Sequence, residues 1–135
     1  MSEQKNLEIA HAFLTKFGQG DAGAVAALFA EDAQWEIAGD VGALPWLGKK
    51  QGRGAVIDFI HDSARLLERL KLEVHDILAS DRRAIILGEL ASKYQPNRQV
   101  IETAFAVVLE ISGEKITHYR MFEDSFAVSQ AVRAG

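Results

Sequence analysis

A chain of 135 residues, 48% hydrophobic and 25% charged, has the size and balance of one globular domain able to bury its own core. Its net charge of −4 argues against a phosphate-backbone binder, and the absence of cysteine excludes disulfides, thiolate catalysis and zinc–thiolate centres. Met1-Ser2-Glu3-Gln4-Lys5 lacks the basic and apolar regions of a secretory signal, and no apolar run nears the roughly 20 residues of a membrane span, so a cytoplasmic protein is expected.

Leu7, Ala10, Phe13, Leu14 and Phe17 recur at three- and four-residue steps and define one face of a helix from about Ser2 to Phe17. Ser2 suits its start, and Gly18 and Gly20 its end. Asp21 is the expected N-cap of a second helix whose apolar face is Val25, Leu28 and Phe29. Ala33-Gln34-Trp35-Glu36-Ile37 then alternates as a strand does. Residues 38–52 hold Gly39, Gly42, Gly48, Gly52 and Pro45 and read as one long loop, a length usual for a functional rim or lid. Trp46, in its middle, either caps a pocket or anchors the loop.

A third helix is expected from about Gly54 to Glu68, with Val56, Phe59, Ile60, Ala64 and Leu67 inward. After it the periodicity becomes that of strands, near 71–79, 83–94, 99–111 and 115–124, joined by hairpin-length separators. No internal repeat or second domain is visible, and residues 1–135 read as one domain. Helices followed by an antiparallel meander define an α+β chain. The strands near 83–94 and 99–111 carry large residues on both faces (Ile85, Leu87 and Ile86, Leu90; then Phe105, Val107 and Val108). One face can meet the helices, and a homodimer through the sheet is the simplest cover for the other.

This order of elements resembles the nuclear-transport-factor-like cone fold, in particular the ketosteroid isomerase-related and SnoaL-like polyketide cyclase proteins. So do the stretch from Gly20-Asp21-Ala22 to Glu31-Asp32-Ala33, Leu44-Pro45-Trp46-Leu47-Gly48, Gln51-Gly52-Arg53-Gly54, and the run from Lys115 to Ser125. The resemblance implies a curved antiparallel sheet wrapped around N-terminal helices, forming a cone with an apolar pocket. Its implication for function is broad, because the fold hosts isomerases, cyclases, epoxide hydrolases, dehydratases and noncatalytic binders. Steroid isomerases of this group use a carboxylate base, an oxyanion-hole tyrosine and a protonated aspartic acid. By position these fall on Ile37, Phe13 and Phe105, and a supporting tyrosine falls on Ile60, none of which can do that chemistry. The Asp–Arg–Asp set of the epoxide hydrolases falls on Leu90, Ser92 and Met121, and is equally missing.

The implied pocket is lined by Phe13, Phe17, Trp35, Ile37, Ile60, Leu90, Phe105 and Met121, with Trp46 at its rim. Strand alternation puts Tyr119 and Glu123 on the face of Met121, Ser92 on that of Leu90, and Thr103 on that of Phe105. An apolar cavity with a few convergent polar groups suits a small apolar ligand. Glu123 is the candidate acid or base, provided it lies in the pocket rather than at the strand end in solvent. Tyr119 is the candidate hydrogen-bond donor to a carbonyl, or else a core tyrosine. Arg120 and Asp124, four apart on one strand, are too far apart for an ideal direct contact, but either can enter a structural ion pair across the sheet or a dimer interface, with His118 on the same face. His61-Asp62 and His75-Asp76 are neighbours that point apart, so neither forms a dyad. Gly52-Arg53-Gly54 opens a helix and could hold an anion. No cofactor motif or metal-ligand spacing is present. Two functions stay open: a lyase, isomerase or cyclase using Tyr119 and Glu123 on a hydrophobic carbonyl compound, and a noncatalytic binder of an apolar ligand or a partner.

Overall fold

The computed structural model describes residues 2–134. Helix α1 (Ser2–Gly18) and the short α2 (Ala22–Ala26) lead into strand β1 (Phe29–Ile37); β2 (Gly48–Gln51), α3 (Arg53–Leu66) and four long strands follow. These are β3 (Leu67–Ala79), β4 (Arg83–Tyr94), β5 (Gln99–Ser112) and β6 (Lys115–Glu123), and a last helix, α4 (Ser125–Arg133), ends the chain. The fold is α+β, with one open, curved sheet in the order β2-β1-β6-β5-β4-β3. Among the described residues no helix is long and apolar enough to cross a membrane.

Asp21 caps α2 as its side chain accepts from the Ala24 N–H at 3.0 Å. The side chain of Ser2, expected to cap α1, lies outside the described residues. Phe29 begins β1 instead of ending the helical face, and it is completely buried. Five steps along β1, from Phe29 to Gln34, match only the two steps from Ile116 to His118 on β6. That irregularity hides the strand from any alternation count. The pairing of β1 with β6 is parallel, so the sheet is mixed where the sequence suggested an antiparallel one.

The loop expected over 38–52 also contains a strand. Gly48–Gln51 pairs antiparallel with β1, setting Lys49 against Glu36 and Lys50 against Trp35. Its Gly-Lys-Lys-Gln sequence carries no apolar alternation, but a short, lysine-bearing segment is a usual way to end a sheet. Helix α4 was not anticipated. Asp124 caps it, accepting from the Ala127 N–H at 3.0 Å, and Val128 and Ala131 are its buried face. The side-chain amide of Asn97, in the β4–β5 turn, donates to Ala131 and Ala134 carbonyls at 2.7 and 2.8 Å. Asp40 meets Ser129 and Arg133 at 2.7 and 2.6 Å, so the loop after β1 is tied to the same helix.

Two irregularities in β3, between Arg69 and Lys71 and between Val74 and Asp76, bend the sheet's free end. The concave face then curls over α1 and α3, and Phe29, Ile37, Ile86, Leu109, Ile116, Val25 and Val56 are buried completely beneath it.

Candidate functional site

The concave face and the helices enclose a cavity of about 250 Å³, near the lower end of ordinary small-molecule sites. Helix α1 contributes Phe13, Leu14 and Phe17, α3 contributes Phe59, Ile60 and Ser63, and the loop after β1 contributes Leu44 and Trp46. The sheet supplies Leu72, Leu90, Ser92, Ile101, Phe105 and Val107, and β6 adds Tyr119, Met121 and Glu123. Val128 of α4 is also on the wall, so a helix absent from the sequence-based reading helps to bound the site.

Three residues expected on that wall are elsewhere. Trp35 stacks flat behind Tyr119, with ring centroids 4.1 Å apart and planes at 8°, so Tyr119 stands between it and the cavity. Its indole N–H points to the Trp46 carbonyl at 3.4 Å, and the Trp46 ring meets Phe59 edge-on at 5.5 Å. The loop tryptophan is thus anchored through its backbone while its ring remains on the cavity wall. Ile37 is fully buried in the core beside Met121. The Thr103 hydroxyl accepts from the Asp124 N–H at 2.8 Å and donates to the Ala104 carbonyl at 2.7 Å, which fixes the junction between β6 and α4.

Two polar groups of β6, Tyr119 and Glu123, lie on this wall. Tyr119 is only 3% exposed, and its hydroxyl makes a long contact of 3.7 Å with the Met121 sulfur, a weak acceptor. Burial, and secondarily the charge of Glu123, raises its pKa well above the ordinary tyrosine range, so the phenol stays protonated as a donor. Glu123 is half-buried on the same wall, paired in register with Phe105. Burial, reinforced by the neighbouring Asp124 carboxylate, pushes its pKa from 4.5 up to about 7. A carboxyl group with that affinity exchanges protons readily at neutral pH.

The other candidates are structural. Arg53 donates from Nε to the Phe29 carbonyl at 2.9 Å, binding α3 to β1 rather than presenting itself to an anion. Arg120 pairs across the sheet with Glu110 of β5 at 3.4 Å, the kind of partner expected for it, whereas Asp124 caps α4 instead of entering an ion pair. His118 lies between Glu36 and Glu110, at 3.9 and 3.7 Å. His75 lies between Glu73 and Glu89, at 3.5 and 3.0 Å, on the exposed side of the sheet. That trio is the one convergence of metal-type donors among the described residues, and both imidazole nitrogens are already engaged by carboxylates.

Several solved structures share this architecture. An NTF2-like protein from Burkholderia xenovorans superimposes with a TM-score of 0.89 at 24% identity, over 98% of this chain and 99% of its own. An NTF2-like protein of unknown function from Burkholderia pseudomallei gives 0.85 at 20% identity, over 96% and 98%. An LEH-like epoxide hydrolase of M. tuberculosis gives 0.73 at 17% identity, over 98% and 92%. At these identities the likeness speaks for the fold alone. No curated protein sequence matches the chain. The SnoaL-like domain model, however, matches residues 10–119, and the chain belongs to that family.

Proposed function

We propose that the protein is an acid–base catalyst, an isomerase, lyase or cyclase acting on a small hydrophobic carbonyl compound. Glu123 would transfer the proton next to the carbonyl, and Tyr119 would donate a hydrogen bond to the carbonyl oxygen as negative charge develops there. The observation that carries this reading is a carboxyl group with a pKa of about 7 on the wall of a largely apolar cavity. The Tyr119 hydroxyl supports it, since its described partner is a thioether that a carbonyl oxygen would readily replace.

The minimal reaction is exchange of a carbon-bound proton next to a carbonyl. A panel of small hydrophobic ketones in D2O, followed by proton NMR, should show exchange above background with the native protein. Its rate should rise with pH around 7, because the base form of Glu123 is the active one. Glu123→Gln should lower the rate about a hundredfold, and Tyr119→Phe by a smaller factor. The second reading, an apolar-ligand binder, is favoured by the apolar Phe13, Ile60 and Phe105 on the wall. Ketones that quench the tryptophan fluorescence on binding but exchange only at background would establish it.

The convex face of the sheet fits a homodimer contact in the same proposal. Leu78, Ile85 and Val108 align across β3, β4 and β5, and Leu87, Ala106 and Phe122 align across β4, β5 and β6. Leu78 and Phe122 are 54% and 49% exposed, an unusual investment of large apolar surface on an outer face. Phe122→Asp should shift the protein towards monomer in light scattering at micromolar concentration. Unchanged mass for this variant, or a monomeric native protein, would remove the proposed contact.

A further inference from the structure

The cavity wall carries one guanidinium, that of Arg69, and β3 has to bend to put it there. Arg69 pairs in register with Ser92, whereas Lys71 pairs with the next residue back, Ala91. The residue between them, Leu70, is the extra one of a bulge. In a regular strand Arg69 and Lys71 would share a face. The bulge separates their partners: Lys71, which also borders the cavity, sends its ammonium to Glu89 at 3.5 Å, and Arg69 stays beside Ser92 on the cavity side. There the guanidinium lies over the Phe17 ring, 5.3 Å from its centroid. Among the described residues no carboxylate pairs with it, and it is exposed at the cavity's open side.

We infer that the ligand is a hydrophobic monocarboxylate, bound with its apolar body in the cavity and its carboxylate against Arg69. This rests on the cavity being the ligand site, as in the proposed function, and narrows the substrate class to an apolar oxo acid. A planar guanidinium matches a carboxylate with two parallel hydrogen bonds, and stacking on Phe17 holds the fork in place before the ligand arrives. Because Arg69 stays in contact with water, it can pair with an anion without the cost of burying a charge. Lys71 also borders the cavity but is held by Glu89, so the one lining cation without a carboxylate partner among the described residues suits a monoanion. Ser92, beside it, can add a further hydrogen bond.

The test compares octanoate with 1-octanol at pH 7.5, by tryptophan fluorescence and calorimetry. Octanoate should bind the native protein about five- to tenfold more tightly, and the preference should shrink as salt rises. In Arg69→Gln the ratio of the two affinities should fall to about one, while Arg69→Lys should keep part of it. Arg82→Gln, a change in the exposed turn between β3 and β4, should leave the ratio as it is in the native protein. Equal binding of acid and alcohol by the native protein, or a preference that survives Arg69→Gln, would overturn the inference while leaving the cavity as a ligand site. Failure of both compounds to bind would remove the cavity reading itself.

Discussion

Replacing Gly88 with alanine should destabilise the protein by about 3 kcal/mol or more, enough to leave a domain of this size barely folded. Gly88 sits in β4 between Val74 of β3 and Phe105 of β5. A methyl group there would overlap the Glu73 carbonyl oxygen and come within 2.8 Å of the Phe105 ring. The first neighbour is backbone in a bent strand and the second is a ring on the cavity wall, so neither can withdraw without moving the sheet or closing the cavity. Glycine normally weakens a strand, and an aromatic ring laid over it restores the lost packing. Alanine would also reduce the freedom of the unfolded chain, a gain of less than about 1 kcal/mol that cannot offset the overlap. Urea unfolding of the two proteins measures the difference. A loss below about 1 kcal/mol would mean that β3 and Phe105 yield easily and that the curvature is not held at this point.

Gly88 also illustrates why parts of the fold were legible in the sequence and others were not. Helices α1 and α3, and strands β4 and β5, announce themselves because their apolar residues keep one period over a dozen positions. Local devices that break the period are silent. The start of β1 is masked by its irregular step against β6, and β2 is a lysine-rich edge held only by its partner's backbone. Helix α4 had a readable signal in Asp124 followed by Val128, Ala131 and Val132, but its short length and the preceding strand obscured it. The parallel pairing of β1 with β6 depends on where the chain re-enters the sheet, which no local pattern encodes.

The cavity shows the same division. Strand alternation correctly groups Tyr119, Met121 and Glu123, because β6 is regular over those residues. The resemblance also places Trp35 and Ile37 on the pocket wall, yet a shared face does not tell which strand's side chains reach the cavity. Trp35 is the register partner of Tyr119 on the neighbouring strand and stacks on its far side, one strand further from the cavity. Arg69 was invisible as a cavity residue for a different reason, since only the bulge at Leu70 separates its partner from that of Lys71.

Glu123 should make the protein less stable as the pH rises from about 4.5 to about 7. The folded state holds the Glu123 proton up to about 7, whereas an unfolded chain releases it near 4.5. Between those values the native state binds more protons, so the free energy of unfolding falls with pH, and the effect levels off above the higher value. The whole difference is worth about 3 kcal/mol at most, and partial contact with water reduces it. Asp40 and Glu89 have lowered pKa values, so their contributions are lost as the pH falls, on the acid side of this window. Glu123→Gln isolates the effect, because every other titration is common to the two proteins. The variant should match the native protein near pH 4.5 and exceed its stability above pH 7, while losing the proton exchange assigned to this carboxyl group. Parallel stability curves for the two proteins from pH 4.5 to 8 would show that Glu123 titrates as an ordinary surface carboxylate, and the proposed chemistry would fall with it. A gain in stability joined to a loss of turnover is what separates a working acid from a structural one, since a structural carboxyl group would be missed by the fold.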